Sequence, residues 1–195
     1  MRVPEGYADV VVDLGTGDGK FVLREARARP DALFVGIDAV GEAFARSAAR
    51  KRLPANARFV VGDATRPPEA LERRASEVYV NFPWGSLLRA LAAPDPDPFA
   101  RVVALLRPGG VLRTLLNLSA VADRSYAERL ELPSLDDADV EGRLVPGWRA
   151  AGLDDVRWRR LAPGEDPPWR TSWGQRLVRG SGRETLLVEA VRPPS

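Results

Sequence analysis

The stretch Val10-Val11-Val12-Asp13-Leu14-Gly15-Thr16-Gly17-Asp18-Gly19-Lys20 decides how the rest of the chain is read. A run of valines ends at a carboxylate and a glycine-rich turn, and a helical pattern opens at Phe21. This predicts a buried parallel strand, a tight loop and a helix N-terminus, the first half of a βαβ unit. The second strand is Leu33-Phe34-Val35-Gly36-Ile37, and it ends at Asp38. In doubly wound sheets ligands sit beyond the carboxyl ends of the strands, where both aspartates fall.

The glycine spacing, Gly15-x-Gly17-x-Gly19, departs from the dinucleotide fingerprint, whose third glycine would stand at Lys20. Asp13 and Asp18 at the loop are poor neighbours for a pyrophosphate. They suit a ligand with a cationic head and no phosphate, and S-adenosylmethionine (SAM) is such a ligand. On this reading Asp13 faces the amino-acid end and Asp38 takes the ribose hydroxyls. Gly15 and Gly17 let the backbone approach closely. Asp63, in Val60-Val61-Gly62-Asp63-Ala64 after a third strand, lies near the adenine. The bland alternative is a turn carrying solvated aspartates.

The chain has 195 residues, one domain by size, with 45% hydrophobic and 29% charged residues. It has no cysteine and no histidine. That removes disulfides, thiolate chemistry, the commonest general base and the commonest metal ligand, so no metal site is expected. An enzyme built this way needs chemistry with little proton transfer. No apolar run approaches the ~18 residues of a membrane span, and no signal peptide is visible, so the expectation is a soluble, cytoplasmic protein. Net charge is only +2, which excludes a whole-molecule polycation. Of 29 basic residues only Lys20 and Lys51 are lysines.

Helices are expected over Phe21–Arg29 and Glu42–Leu53, stopped by Pro30 and Pro54, and a short one over Pro67–Ala75. A further helix is expected over Phe99–Leu106, before the turn Arg107-Pro108-Gly109-Gly110. Strands follow at Arg58–Val61, Glu77–Phe82 and Val111–Leu118. The later chain reads as helix over Ala120–Leu130 and over Asp136–Gly152, the latter interrupted by Pro146-Gly147. Strands Val156–Leu161 and Thr185–Val191 close the sheet. The seven strands alternating with helices predict an α/β, Rossmann-like, mostly parallel sheet with helices on both faces. The connector Ala162–Gly182, rich in proline, glycine and tryptophan, is too long to be idle.

Two tryptophans stand in loops. The fourth strand ends in Asn81-Phe82-Pro83-Trp84-Gly85-Ser86-Leu87-Leu88, which offers a carbonyl, a rigid turn and an aromatic face to a planar substrate. Trp173, in Thr171-Ser172-Trp173, lies among Arg170, Arg176, Arg179 and Arg183. A tryptophan amid arginines suits an unstacked base and its phosphates. For each, the competing assignment is packing: Trp84 in the core, Trp173 anchoring its own connector. Trp148, Trp158 and Trp169 are assigned to packing. Arg46 and Arg50 share a helix face, and with Lys51 and Arg52 they could meet phosphates or simply complement the helix dipole.

Taken together, Asp13-Leu14-Gly15-Thr16-Gly17-Asp18-Gly19-Lys20, Asn81 to Leu88 and Thr171-Ser172-Trp173 resemble the aminoglycoside-resistance 16S rRNA methyltransferases of the KamB/NpmA type. The resemblance spans nearly the whole chain, and the joint Pro-Trp-Gly-Ser and Thr-Ser-Trp runs are its specific part. It implies a class I SAM-dependent methyltransferase core, a single domain, with RNA-binding insertions near residues 119–152 and 162–184. It implies methylation of N1 of adenine 1408 in the decoding-site helix of the assembled 30S subunit, by a monomer. Carried over by motif, Asp13, Gly15, Thr16, Gly17, Asp38, Asp63, Ala64, Asn81, Pro83, Ser86, Thr171 and Ser172 would surround SAM. Trp84 and Trp173 would hold the flipped adenine, with Ser86 beside them, and Arg176, Arg179 and Arg183 would meet rRNA with Arg46, Arg50 and Lys51. Family members usually carry a β-hairpin before the first strand, which here begins about nine residues in.

Three other readings stay open. The tRNA guanine-N7 methyltransferases share an Asn-Phe-Pro run but typically continue with an acid where this chain has Trp84-Gly85. A Rossmann oxidoreductase would need the glycine that Lys20 replaces. A silent fold that only binds RNA would not need its strand-end acids.

Overall fold

The computed structural model describes residues 4, 6–50, 53–94, 96–162, 164–169, 171 and 184–194. Seven strands form one sheet: β1 (Asp9–Leu14), β2 (Ala32–Asp38), β3 (Ala57–Val61), β4 (Ala75–Asn81), β5 (Leu106–Asn117), β6 (Asp154–Leu161) and β7 (Thr185–Val191). Their order is β3-β2-β1-β4-β5-β7-β6. β1 pairs in parallel with β2 and with β4, and β7 alone runs against its neighbours. The chain goes from β1 outward to β2 and β3, then returns to lay β4 on the other side. That reversal opens a crevice beyond the carboxyl ends of β1 and β4, where such sheets bind ligands.

The residue pattern explains the layering. Val12 and Leu14 point into the larger core with Leu33, Val35 and Ile37. Val11 points the other way, onto Phe21, Val22 and Ala26 of helix α1 (Lys20–Ala28). Helix α2 spans Gly41–Arg50. On the other side α3 (Gly85–Ala92) and α4 (Pro96–Ala104) pack Leu88, Leu91, Phe99 and Val102 against the sheet. Buried Asn56 ties α1 to the sheet: its Nδ2 donates to the carbonyls of Ala26, Arg29 and Ala32 at 2.8, 2.9 and 2.8 Å. Those carbonyls belong to the end of α1 and the start of β2, where helix geometry leaves acceptors unpaired.

Several boundaries differ from expectation. The Arg107–Gly110 turn does not precede β5 but sits inside it. Ala75 pairs with Leu106 and Glu77 with Val111, so the intervening residues form an irregularity in the strand. Gly109, at φ +74°, supplies the left-handed residue that this needs. Helix α3 has no counterpart among the expected elements, although Leu87, Leu88 and Leu91 carry helical spacing. The helix expected over Ala120–Leu130 is two, α5 (Leu118–Ala122) and α6 (Arg124–Leu130), because the Asp123 side chain accepts from Tyr126 N and caps a new start. Over Pro67–Ala75 only a 3₁₀ turn forms, at Glu69–Leu71.

Pro146 does not interrupt its helix. The chain runs from α7 (Asp137–Asp139) through a π-helical turn at Val140–Leu144 into α8 (Val145–Ala150). Proline lacks the N–H for a bond four residues back, and the wider π turn accommodates it. The region 119–152 also packs deeply. Leu135, Val140, Leu144, Val145 and Trp148 all join the main core, and Trp148 Nε1 donates to Leu91 O at 3.1 Å.

Candidate active site

A cavity of about 330 Å³ opens at the crevice beyond β1 and β4. Its walls come from every strand end of the first half of the sheet. Gly15 and Gly17 follow β1, Asp38 ends β2 and Ala39 follows it, and Asp63 and Ala64 follow β3. Asn81, Phe82, Pro83, Trp84, Ser86 and Leu87 form the wall after β4. Gly15 and Gly17 have φ of +71° and +55°, a conformation that L side chains resist, so the loop can fold flat against the cavity only as glycine.

The acids are held by the backbone. Asp38 Oδ2 accepts from Gly17 N at 2.8 Å and Oδ1 from Val40 N at 2.9 Å. This fixes the carboxylate at the rim while its remaining lone pairs stay open for hydroxyls. Asp63 Oδ1 takes both Thr65 N and Thr65 Oγ1 at 2.8 Å. Asp13 is different: it is buried beneath the cavity and does not line it. Thr16 Oγ1 donates to its Oδ2 at 2.7 Å, and Asn81 Nδ2 donates to its Oδ1 at 3.1 Å. Burial pushes the Asp13 carboxyl up to about 7, against these two hydrogen bonds and with help from the Asp38 and Asp18 charges.

The lining suits SAM and not a dinucleotide. Among the described residues two carboxylates and no lysine or arginine line the cavity, and Lys20 Nζ is held by Asp18 at 2.6 Å. A pyrophosphate would meet only negative charge here, whereas a sulfonium and an ammonium would be attracted.

Trp84 stands at the lip, 52% exposed, which overturns a core role for it. It occupies the N-cap position of α3 without a capping side-chain hydrogen bond and lies edge-on to Tyr126 of α6, with centroids 5.5 Å apart and planes at 75°. The residue before Pro83 is strained: Phe82 has φ +53° and is buried. A bulky residue in that region is a backbone outlier of the kind found at functional sites.

The sequence model of the family described as "NpmA: 16S rRNA (adenine(1408)-N(1))-methyltransferase" matches residues 2–192. The chain belongs to the 16S rRNA (adenine(1408)-N(1))-methyltransferases. It is 34% identical over 189 residues to the family enzyme of Streptoalloteichus tenebrarius, covering 93% of this chain and 86% of that one. It is 40% identical to the solved antibiotic-resistance methyltransferase Kmr, with a TM-score of 0.76, covering 98% of this chain and 90% of that one. A family enzyme from Catenulisporales acidiphilia, solved as a W203A mutant with cosubstrate SAM, is 28% identical with a TM-score of 0.78, covering 96% and 87%. The fold is thus the class I SAM-dependent methyltransferase fold, and SAM is the methyl donor. The family match runs through the Trp84-Gly85-Ser86 segment that separates this reading from the tRNA guanine-N7 enzymes.

Of the methyltransferase site residues expected from sequence, the cavity gathers Gly15, Gly17, Asp38, Asp63, Ala64, Asn81, Pro83, Trp84 and Ser86. Asp13 and Thr16 lie below its floor, and Thr171 is buried without lining it. Arg46 is exposed on α2. Ser172, Trp173, Lys51, Arg176, Arg179 and Arg183, and the Arg50 side chain, lie outside the described residues. Sequence reasoning missed Ala39, Phe82 and Leu87, which follow directly from their neighbours. It also missed Tyr126, whose Oη accepts from Gly85 N at 2.8 Å, and whose partner lies too far along the chain for any local signal.

Proposed function

We propose that this cavity is where the methyltransferase works: SAM lies across the strand ends, and the target adenine, taken out of its helix, lies against Trp84. Asp38 is suited to the ribose hydroxyls, Asp63 and Ala64 to the adenine end, and the floor above Asp13 to the amino-acid end. Bound there, SAM supplies a methyl carried on a sulfonium.

The chain's own residues have little acid–base work to do. Adenine N1 holds an in-plane lone pair and can attack without first losing a proton, which fits a protein without histidine. What remains is to hold the base out of its helix, align N1 with the methyl and exclude water. The methylated ring gains positive charge, and an indole face favours that charge through its quadrupole. Trp84 supplies one such face, and Trp173 is assigned the opposite one.

The observation that carries this reading is a half-exposed tryptophan at the lip of an acid-walled cavity, held in edge-on contact with Tyr126. The substrate is assigned as 16S rRNA within the assembled 30S subunit, because a surface built from separated loops needs a shaped target. Arg46, Arg50, Lys51, Arg176, Arg179 and Arg183 are assigned to its phosphates, with the segments near 119–152 and 162–184 forming the RNA-facing side. We assign the enzyme to the cytoplasm as a monomer; among the described residues no helix is long and apolar enough to cross a membrane. Aminoglycoside resistance is the expected phenotype.

The test is radiolabelled methyl transfer to intact 30S subunits and to free 16S rRNA, with the modified base mapped by primer extension. Label at N1 of adenine 1408 on subunits alone is the expected result. Label at a guanine, or equal labelling of free RNA, would defeat the assignment.

A further inference from the structure

Trp169 is a group that methyl transfer itself does not use. Sequence reading assigned it to packing, and its ring does pack, against Phe82, Leu115, Leu161 and Leu187 on one side. It meets Tyr79 edge-on with centroids 5.4 Å apart. Its polar end does something more specific. Trp169 Nε1 donates to Asn81 Oδ1 at 2.7 Å, across 88 positions of the chain.

Asn81 stands between two partners of opposite character. Its Oδ1 accepts from Trp169, and its Nδ2 donates to Asp13 Oδ1 at 3.1 Å. An indole N–H can only donate, whereas a carboxyl accepts when ionised and can also donate when protonated. The indole therefore decides the orientation: it holds the amide oxygen and turns Nδ2 toward Asp13 Oδ1. Remove the indole N–H and the amide oxygen loses its partner, so a flip that turns the oxygen toward Asp13 is opposed by that carboxylate alone. Asn81 lines the cavity and Asp13 underlies it, so the orientation of this amide sets both a wall and the charge below the floor.

Trp169 also has a place in the chain that gives this contact a consequence. It stands on the connector after β6, four positions ahead of Trp173. We propose that Trp169 is a positioning residue whose indole N–H fixes the Asn81 amide against Asp13, so that seating of Trp169 and formation of the SAM site depend on each other. The hydrogen-bonded series Trp169–Asn81–Asp13–Thr16 is the physical link, from the connector to the loop after β1. By linkage, whatever seats Trp169 more firmly strengthens SAM binding by the same factor that SAM strengthens that seating. The proposal rests on the assignment of the cavity to SAM.

The test uses Trp169→Phe, which keeps a ring in the apolar site and deletes the N–H, in the full chain. SAM affinity is measured by calorimetry for the parent, Trp169→Phe, Asn81→Ala and the double variant, with thermal unfolding of each without SAM. Parent binding comes first, since a parent that does not bind SAM removes the cavity assignment itself. Given parent binding, Trp169→Phe should weaken SAM about tenfold, the order expected for one buried hydrogen bond. In the Asn81→Ala background the same change should cost less than about twofold. A second readout is the ¹H–¹⁵N resonance of the Trp169 indole, identified by its loss in Trp169→Phe. It should move on adding SAM to the parent. An unchanged affinity in Trp169→Phe, an equal loss in both backgrounds, or an indole resonance that ignores SAM would each overturn the proposal.

Discussion

Asp13 is the residue on which chemistry and stability pull in opposite directions. Its carboxyl is buried and its pKa is raised to about 7 from an ordinary 3.8. The folded state therefore holds this proton more tightly than the unfolded state. The contribution to stability is fully present below about pH 4 and is lost as pH rises through about 7. Asp13→Asn mimics the protonated form, so the variant without ligand should match the parent near pH 4. At pH 8 it should unfold higher, by up to about 4 kcal/mol or on the order of 10 °C, in calorimetry at both pH values. A parent that is the more stable at pH 8 would show that the carboxylate is better solvated than its burial implies. At Trp84 the argument concerns function alone. Half exposed, it carries little stability, so Trp84→Ala should keep its Tm and its SAM affinity. Methyl transfer to 30S subunits should fall about 10- to 100-fold, the range for one stacked base, and Trp84→Phe should recover part of it. The strand-end acids were legible in the sequence because each closes an apolar run. The left-handed Phe82 was not, since no residue pattern announces a bulky side chain held at φ +53°.

Among the elements, α6 and α1 illustrate two ways that a helix is placed. α6 brings Tyr126 to Trp84, edge to face, and its hydroxyl takes the Gly85 N–H at the start of α3. Tyr126→Phe keeps the ring and leaves one N–H without its partner, so methyl transfer should stay within a few fold and stability drop by about 1 kcal/mol. Tyr126→Ala also removes the edge-on contact, and transfer measured at saturating SAM should fall about tenfold with SAM affinity unchanged. α1 is anchored by Asn56. Asn56→Ala would leave buried carbonyls of Ala26, Arg29 and Ala32 without that donor. A loss of roughly 2–3 kcal/mol in urea unfolding is expected, with the slope against denaturant unchanged. Element existence was largely legible from apolar periodicity and from the proline and glycine stops. What was not legible was how a local stop signal is absorbed. The Arg107–Gly110 turn became an irregularity within β5 because β4 pairs with the strand before it, at Leu106, and again after it from Val111, where β7 joins from the other edge. Pro146 became part of a continuous helix because a π turn precedes it.

Across the whole molecule, charge is organised by sheet register. Arg113 of β5 stands opposite Glu189 of β7 and diagonally from Glu77 of β4, and Arg29 reaches the Glu77 carboxylate as well, with Arg29 Nη2 to Glu77 Oε1 at 2.7 Å and Arg113 Nε to Glu189 Oε1 at 3.0 Å. Burial alone would raise the Glu77 carboxyl. The Tyr79 hydroxyl and the two guanidinium groups outweigh it and hold the group below its ordinary range. Its stabilisation is therefore present above the ordinary glutamate pKa and is lost as pH falls below it, opposite to Asp13. Glu77→Gln should lower Tm at pH 7 and flatten the loss of Tm between pH 5 and pH 3, as thermal scans across that range would record. The sequence by itself determined the alternating α/β order, the glycine loop, the acids that follow β1 to β3 and the tryptophan after β4, because periodicity, turn chemistry and strand ends are local properties. Only the tertiary structure decided which of these face one cavity. It placed Asp13 under the floor and not in the wall, Tyr126 edge-on to Trp84, and the Trp169 indole on Asn81. Those partners are brought together by strand order and register, and no stretch of neighbouring residues encodes a contact that closes across most of the fold.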